Sequence, residues 1–272
     1  MKRKFRVMAP LCGLVFWMAL AVAPVAATDA EGPVANESYP AEFRDPEALA
    51  ELKKATDFLV AQPRFSFSAR IFYDVIQTDG RRLQFEKTGE ITLQRPNQLY
   101  VESRHDDGVW RKLWYQGEEL SIADLSKNLH TQVKAPPSVD ETLDMLEDLV
   151  REPQPLADLL YSDLSHLQDH AIEADIVGDS LLDGLSCVHL AFRGETIDWQ
   201  IWVELSATPF IRKVALSYRE APGNPQYVAL INDWTTPEQF SDEIFQFKVP
   251  QGSQWIKVLT SRTGPARKGD QP

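Results

Sequence analysis

Three short clusters in this chain carry residue types able to do chemistry. His166 and His170 stand four apart with Asp169 between them, the spacing that puts two imidazoles on one face of a helix, as a metal pair requires. No further Cys or Glu completes a ligand shell nearby, and no His-Glu-x-x-His pattern occurs, so a solvated helix end is the ordinary account and no metal is expected. His105-Asp106-Asp107-Gly108 holds groups suited to metal binding or acid–base work, yet it falls between two strand-like runs and reads as a polar hairpin turn. Cys187 and His189 share one face of a strand. A Cys–His nucleophile needs exposure and a thiolate-stabilising setting, whereas the flanking residues are apolar and point to burial. A Cys/His hydrolase is therefore the weakest function considered. The chain has no Gly-x-Ser-x-Gly elbow, no Gly-rich phosphate loop and no dinucleotide fingerprint, so neither catalysis nor a cofactor is expected.

The remaining chemistry is apolar. Phe65, Phe67, Ile71, Tyr73, Phe85, Ile91, Leu93, Val101, Leu113, Tyr115, Leu120, Trp199, Ile201 and Val203 all fall on alternating positions of strand-like runs. Two accounts fit them: an ordinary core packed under helices, or the wall of a cavity that accepts a hydrophobic ligand such as a lipid or acyl chain. At about 0.8 kcal/mol per buried CH₂, a long acyl chain offers on the order of 10 kcal/mol gross, so such a site needs no polar anchor. Trp199 and Trp202 have opposite parity, one facing in and one out, while Trp110 and Trp114 share the face opposite Leu113.

The elements that must position these faces are mostly strands. Asp45 and Pro46 open a helix with an apolar stripe at Leu49, Leu52, Phe58 and Leu59, ended by Gln62-Pro63. Strands are expected at 64–77, 83–94, 98–104, 109–116, 119–124 and 128–134, separated by short turns that favour an antiparallel meander. The segment Gly89-Glu90-Ile91-Thr92-Leu93-Gln94-Arg95-Pro96-Asn97 combines a one-sided strand with a proline turn. A helical insert over 138–170 follows, opened by Ser138 and Glu141 in a capping-box arrangement, with Leu143, Leu146, Leu149 and Val150 as its stripe and a second short helix through Leu156, Leu159, Leu160 and Leu164. Strands resume at 172–177, 186–193, 196–205, 211–219, 226–234 and 244–249. About eleven strands would curl rather than lie flat. The expected fold is mainly β: a bent antiparallel sheet or incomplete barrel with an N-terminal helix and a helical lid.

The ends set the compartment. Lys2, Arg3, Lys4 and Arg6 precede an apolar run from Leu11 to Ala23 and the small residues Val25-Ala26-Ala27, which reads as a secretory signal cleaved near Ala27. The run is short for a spanning helix, which needs roughly 20 residues, and Cys12 lies inside it rather than at the cleavage point, so no lasting membrane anchor is expected. Removing those four basic residues from 28 leaves 24 against 40 acidic ones, a net charge of −16 in place of −12. That balance argues against nucleic acid and anionic membrane surfaces as partners. Only Cys187 would remain, so no internal disulfide can form. Residues 28–44 read as a linker, 45–258 as one domain and 259–272 as a disordered tail.

With these residues in place the chain resembles the periplasmic lipoprotein carriers of the LolA/LolB-like superfamily. The likeness rests on the early helix, the Phe65–Val75 strand, Gly89-x-Ile91-x-Leu93-x-Arg95-Pro96-Asn97, Leu113-Trp114-Tyr115-Gln116-Gly117-Glu118-Glu119-Leu120, and Phe245-Gln246-Phe247-Lys248-Val249-Pro250-Gln251-Gly252. Within that group it looks closer to a family of predicted periplasmic proteins of unknown function, through Pro155-Leu156-Ala157-Asp158-Leu159-Leu160-Tyr161-Ser162-Asp163, Cys187-Val188-His189-Leu190-Ala191-Phe192-Arg193, Asp198-Trp199-Gln200-Ile201-Trp202-Val203-Glu204 and Pro225-Gln226-Tyr227. The resemblance covers about residues 45–255. It implies a half-open barrel with a helical lid over an apolar cavity, and non-catalytic binding or shuttling of a lipid or lipoprotein acyl chain in the periplasm. An arginine helps hold the carriers' cavity closed; here Arg70 falls in the comparable strand, on the face opposite the apolar one. The chain departs from the carriers in its length, larger insert and acidity. The alternative is a cell-envelope protein-interaction module whose concave face is filled by its own helices.

Overall fold

The computed structural model describes residues 43–149 and 154–257. The expected signal segment, residues 28–42 of the expected linker and the expected tail lie outside the described residues.

Twelve strands form one sheet: β1 (Arg64–Ile76), β2 (Arg82–Gln94), β3 (Gln98–His105), β4 (Trp110–Gln116), β5 (Glu119–Asp124), β6 (Leu129–Lys134), β7 (Glu173–Leu182), β8 (Leu185–Arg193), β9 (Ile197–Glu204), β10 (Ile211–Tyr218), β11 (Gln226–Thr235) and β12 (Gln254–Trp255). The order across the sheet is β12-β6-β5-β4-β3-β2-β1-β11-β10-β9-β8-β7. Two meanders, β1–β6 and β7–β11, therefore meet where β1 pairs with β11. All neighbours are antiparallel except β12, which runs parallel to β6. The sheet is open, with β7 and β12 at its edges, so it is a bent sheet and not a closed barrel. Short connections join consecutive strands within each meander. Asp183-Gly184, with φ values of 48° and 85°, turns β7 into β8 through the left-handed conformations that a two-residue hairpin needs.

The helices cover one face. Helix α1 (Pro46–Val60) starts as its sequence predicts: the Asp45 side chain accepts from the Glu47 N–H, and Pro46 occupies the first turn. Its buried stripe of Ala48, Leu52, Ala55 and Leu59 lies against β7 and β9. Helix α2 (Val139–Leu149) begins at Ser138, whose Oγ accepts from the Glu141 N–H at 3.3 Å. The Glu141 carboxylate takes the Ser138 hydroxyl proton (2.9 Å), not the backbone N–H of a full capping box. A 3-10 helix (Pro155–Leu160) and the one-turn α3 (His166–Asp169) complete the expected insert.

One expected element is absent. No strand forms over 244–249, although Phe245, Phe247 and Val249 alternate. This segment drapes over the outer face of the first meander instead: Phe245 is buried, and Phe247 packs on Trp114 and His130 at ring distances of 5.2 and 5.8 Å. Pro250 offers no N–H to a ladder. Edge pairing is delayed until Gln254 and Trp255 add to β6. Period-two apolar residues mark docking on a surface as well as a strand, and here docking wins.

The register sorts the concave face into rows that cross the strands. The first row is Phe65, Leu93, Leu99, Tyr115 and Leu120, all fully enclosed. The second is Phe67, Ile91, Val101, Leu113 and Ile122; the third Ala69, Gly89, Ser103, Arg111 and Asp124. The fourth holds His105, Lys87, Ile71, Ala229, Val214 and Ile201. The fifth is an aromatic band: Phe85, Tyr73, Tyr227, Leu216, Trp199 and Phe192.

Candidate functional site

A cavity of about 660 Å³ lies between the concave face and the lid, within the range of small-molecule sites. Its sheet wall runs from the second row to the fifth, with Leu99 of the first row at its inner end. Ile91, Leu99, Val101, Leu113 and Ile122 form an apolar inner half, while Gly89, Ser103, Lys87, His105, Arg111, Tyr218 and Tyr227 form the outer half. The lid wall comprises Leu143, Leu146 and Glu147 of α2, together with Leu156, Ala157, Asp158, Leu160 and Tyr161. Gly89 is buried in the floor; a Cβ there would meet the Ile91 side chain at an ordinary 3.4 Å, so the missing side chain leaves cavity rather than relieving a clash.

The lid is tied to the sheet by Arg95. Its guanidinium donates to the carbonyl oxygens of Leu160 and Tyr161, each at 2.8 Å, and lies 3.9 Å from Asp140 of α2. Burial lowers its pKa, and Asp140 partly offsets that. Asp140 in turn accepts from the Ser162 N–H and hydroxyl, and Asp144 accepts from the Tyr161 hydroxyl at 2.9 Å. One partly buried cation thus fastens the end of the 3-10 helix, α2 and the β2–β3 turn together. Arg70, the residue in the carrier-like position, instead pairs with Glu86 on the exposed outer face.

The polar groups of the outer half have distinct settings. Lys87 reaches Gln154 at 3.3 Å and lies over the Tyr73 ring. Arg111 stands 3.7 Å from Asp124. Tyr227 is only 6 % exposed, and burial, then the Tyr218 and Asp158 charges, push its hydroxyl pKa up. Among the described residues no hydrogen bond reaches the side-chain oxygens of Tyr218, Tyr227 or Asp158. Asp158 is open to water yet crowded by protein atoms, and that crowding raises its carboxyl pKa, with Glu147 adding to the rise.

Of the residues singled out from the sequence, Ile71, Ile91, Val101 and Leu113 face the cavity. Phe65, Phe67, Leu93, Tyr115, Leu120, Ile201 and Val203 are buried in the core outside its lining. Tyr73 and Phe85 stack on each other at 5.9 Å, and Trp199 stacks on Phe192 at 5.3 Å. Sequence reading passed over Lys87, Ser103 and Arg111, and took His105 only as a turn residue. Their signal was a polar side chain standing on the apolar parity of its strand.

The other clusters are structural. Asp106–Gly108 form the hairpin turn that follows His105, the last residue of β3, and Asp107 accepts from the Val109 N–H. His166 and His170 lie with ring centroids 6.0 Å apart, and no group of three or more His, Cys, Asp or Glu gathers among the described residues. Cys187 is fully buried, its thiol pKa raised by burial, with its Sγ 3.7 Å from the Leu185 carbonyl. His189 instead bonds Gln200 at 2.9 Å and stacks on Trp202 at 4.0 Å. On the outer face Glu102 receives Tyr100, Arg104, Trp110 and Lys112. Burial pushes its carboxyl up, but these donors outweigh burial and hold it at about 2.

The profile of a family described as a predicted periplasmic protein, DUF2092, matches residues 48–259. Among curated proteins, none matches. Solved structures superpose loosely. Lipoprotein LppX of Mycobacterium tuberculosis gives a TM-score of 0.46 at 13 % identity over 72 % of this chain and 98 % of that one. LprF from Mycobacterium bovis gives 0.48 at 11 % over 75 % and 99 %. The MucA/MucB complex of Pseudomonas aeruginosa gives 0.40 at 13 % over 74 % and 61 %. At these scores the superpositions carry nothing about ligand or partner.

Proposed function

We propose, for a chain that belongs to the DUF2092 family of predicted periplasmic proteins, that it binds or shuttles a hydrophobic ligand in the periplasm without catalysing a reaction. The observation that carries this is the cavity of about 660 Å³, walled by Ile91, Val101, Leu113 and Ile122 and roofed by Leu143, Leu146 and Leu156. A self-filled core would have closed that space with side chains. The ligand's apolar part supplies the affinity, and the Arg95-tied lid supplies the door. Export behind a cleaved signal and a single carrier-like domain belong to the same reading. The test is native mass spectrometry of the protein purified from the cell envelope, together with uptake of a fluorescent fatty acid. Co-purified lipid and saturable uptake are expected; absence of both overturns the proposal.

A protein-interaction role has one observation in its favour. Edge strand β7 exposes Val177 and Leu181, at 58 % and 70 %, on a border where an extended partner segment can add. Cross-linking in cells from a reporter placed at Val177 tests it: a single specific adduct supports the role, and none removes it.

A further inference from the structure

We infer that the outer half of the cavity is an anion subsite, so that the ligand is an amphiphile whose head carries a carboxylate or phosphate seated on the sheet wall; this rests on the ligand-binding reading above. The register places the groups. Lys87 and His105 are direct cross-strand partners on β2 and β3, and Ser103 and Arg111 are direct partners on β3 and β4. Directly opposed side chains in a sheet lie roughly 5 Å apart at Cβ. Ser103 and His105 are two apart on one strand, so the four groups form a continuous patch. Gly89, opposite Ser103, leaves the space above the floor open beside them.

The patch adjoins the apolar rows directly. Ile91 and Val101 are the next same-face residues after Gly89 and Ser103, with Leu113 beside them. A tail lying along these rows carries its head onto Lys87, His105, Ser103 and Arg111. The acids of the cavity come from the other wall: Glu147 and Asp158 belong to the lid. Charge is therefore segregated, cations on the sheet and carboxylates on the roof. An anionic group is drawn to the sheet side, where Asp124 is the one acid of the row, 3.7 Å from Arg111 and also held by Ser126 and Lys127. A chain with 40 acidic against 28 basic residues places its cations sparingly, which makes this grouping inside a cavity a specific feature. Arg and Lys supply charge-assisted hydrogen bonds suited to carboxylate or phosphate.

The experiment displaces a bound fluorescent fatty acid with single-chain competitors kept below their micelle-forming concentrations. They are dodecanoate, dodecyl phosphate, dodecylphosphocholine, dodecanol and dodecyltrimethylammonium. The first three are expected to bind at least tenfold tighter than dodecanol, and the cation weakest. Preference for dodecanoate over dodecyl phosphate, or the reverse, identifies the anion. The double variant Lys87→Gln/Arg111→Gln is expected to erase most of that tenfold while leaving dodecanol within twofold of its original affinity. Arg70→Gln, which removes an outer-face cation, leaves the preference intact. Equal affinity for dodecanol and the anionic compounds, or tightest binding of the cation, overturns the subsite while leaving the cavity reading standing. Failure of every compound to bind overturns both. The competitor series on the unaltered protein decides the matter even where the double variant does not fold.

Discussion

Two neighbours on one strand face separate cavity wall from core. Ile91 and Leu93 are two residues apart on β2, with the same parity and chemistry; Ile91 is 7 % exposed and lines the cavity, while Leu93 is 0 % exposed and does not. Consider Asp at each position. In Leu93→Asp the carboxylate sits among Phe65, Leu99 and other enclosed first-row side chains. The lost burial is worth about 2 kcal/mol and the buried polar group several more, roughly 5 kcal/mol or above, against a total stability of about 5–15 kcal/mol. At this domain size each kcal/mol lowers Tm by roughly 2–4 °C, so a fall beyond about 10 °C, or no folded protein, is expected. In Ile91→Asp the carboxylate faces a cavity of about 660 Å³, where water can solvate it. The loss is then about 2 kcal/mol, roughly 4–8 °C. Fatty-acid uptake nevertheless falls at least tenfold, because a charged group stands where the tail must lie. Thermal melting and probe titration on both variants check this. Equal melting losses at the two positions would refute the distinction between wall and core, and unchanged uptake by a folded Ile91→Asp would refute the cavity as the site.

Other outcomes follow from contacts already described. Arg95→Ala removes two charge-assisted hydrogen bonds to the lid, each worth about 1.5–3 kcal/mol, and is expected to speed amide exchange in residues 155–162 and probe entry; unchanged exchange there refutes the tie. Glu102 has a folded pKa of about 2, below its ordinary 4.5. Its stabilisation is therefore full above about 4.5 and is lost as pH falls towards 2, so the denaturation midpoints of the native protein and Glu102→Gln should converge in that window. A difference that stays constant from pH 6 to pH 2.5 would count against it. Cys187 is expected to react with an aromatic disulfide reagent only on unfolding, at a rate set by denaturant; fast labelling of the native protein contradicts its burial.

Much of the fold was legible because β-strands announce themselves by parity. β1 and β2 were readable from Phe65, Phe67, Ile71 and from Ile91, Leu93, and the start of α1 from Asp45-Pro46. Parity gives the face of a residue but not what covers it, and here the cover decides between core and cavity. Leu93 and Ile91 look alike in sequence because what differs is the roof above them, set by an insert 50 residues downstream. Arg95 was visible only as part of a turn, since its partners are backbone carbonyls, which no side-chain pattern encodes. The missing strand at 244–249 shows the reverse limit: Phe245 and Phe247 alternate because Phe245 is buried and Phe247 docks on Trp114 and His130, contacts between distant segments.

The meeting of the two meanders has a consequence for how the protein comes into being. β1 pairs with β2 across a short turn, but its other border waits for β11, with Tyr73 joined to Tyr227 and Ser66 to Thr235. Closing a loop of roughly 150 residues costs about 4.5 kcal/mol in chain entropy by the logarithmic law, so this seam forms late, as non-local pairings do. Until then the first six strands expose a thirteen-residue sticky border carrying Phe67 and Ile71. The chain is at its most aggregation-prone in the interval between the folding of β1 with β2 and the docking of β11.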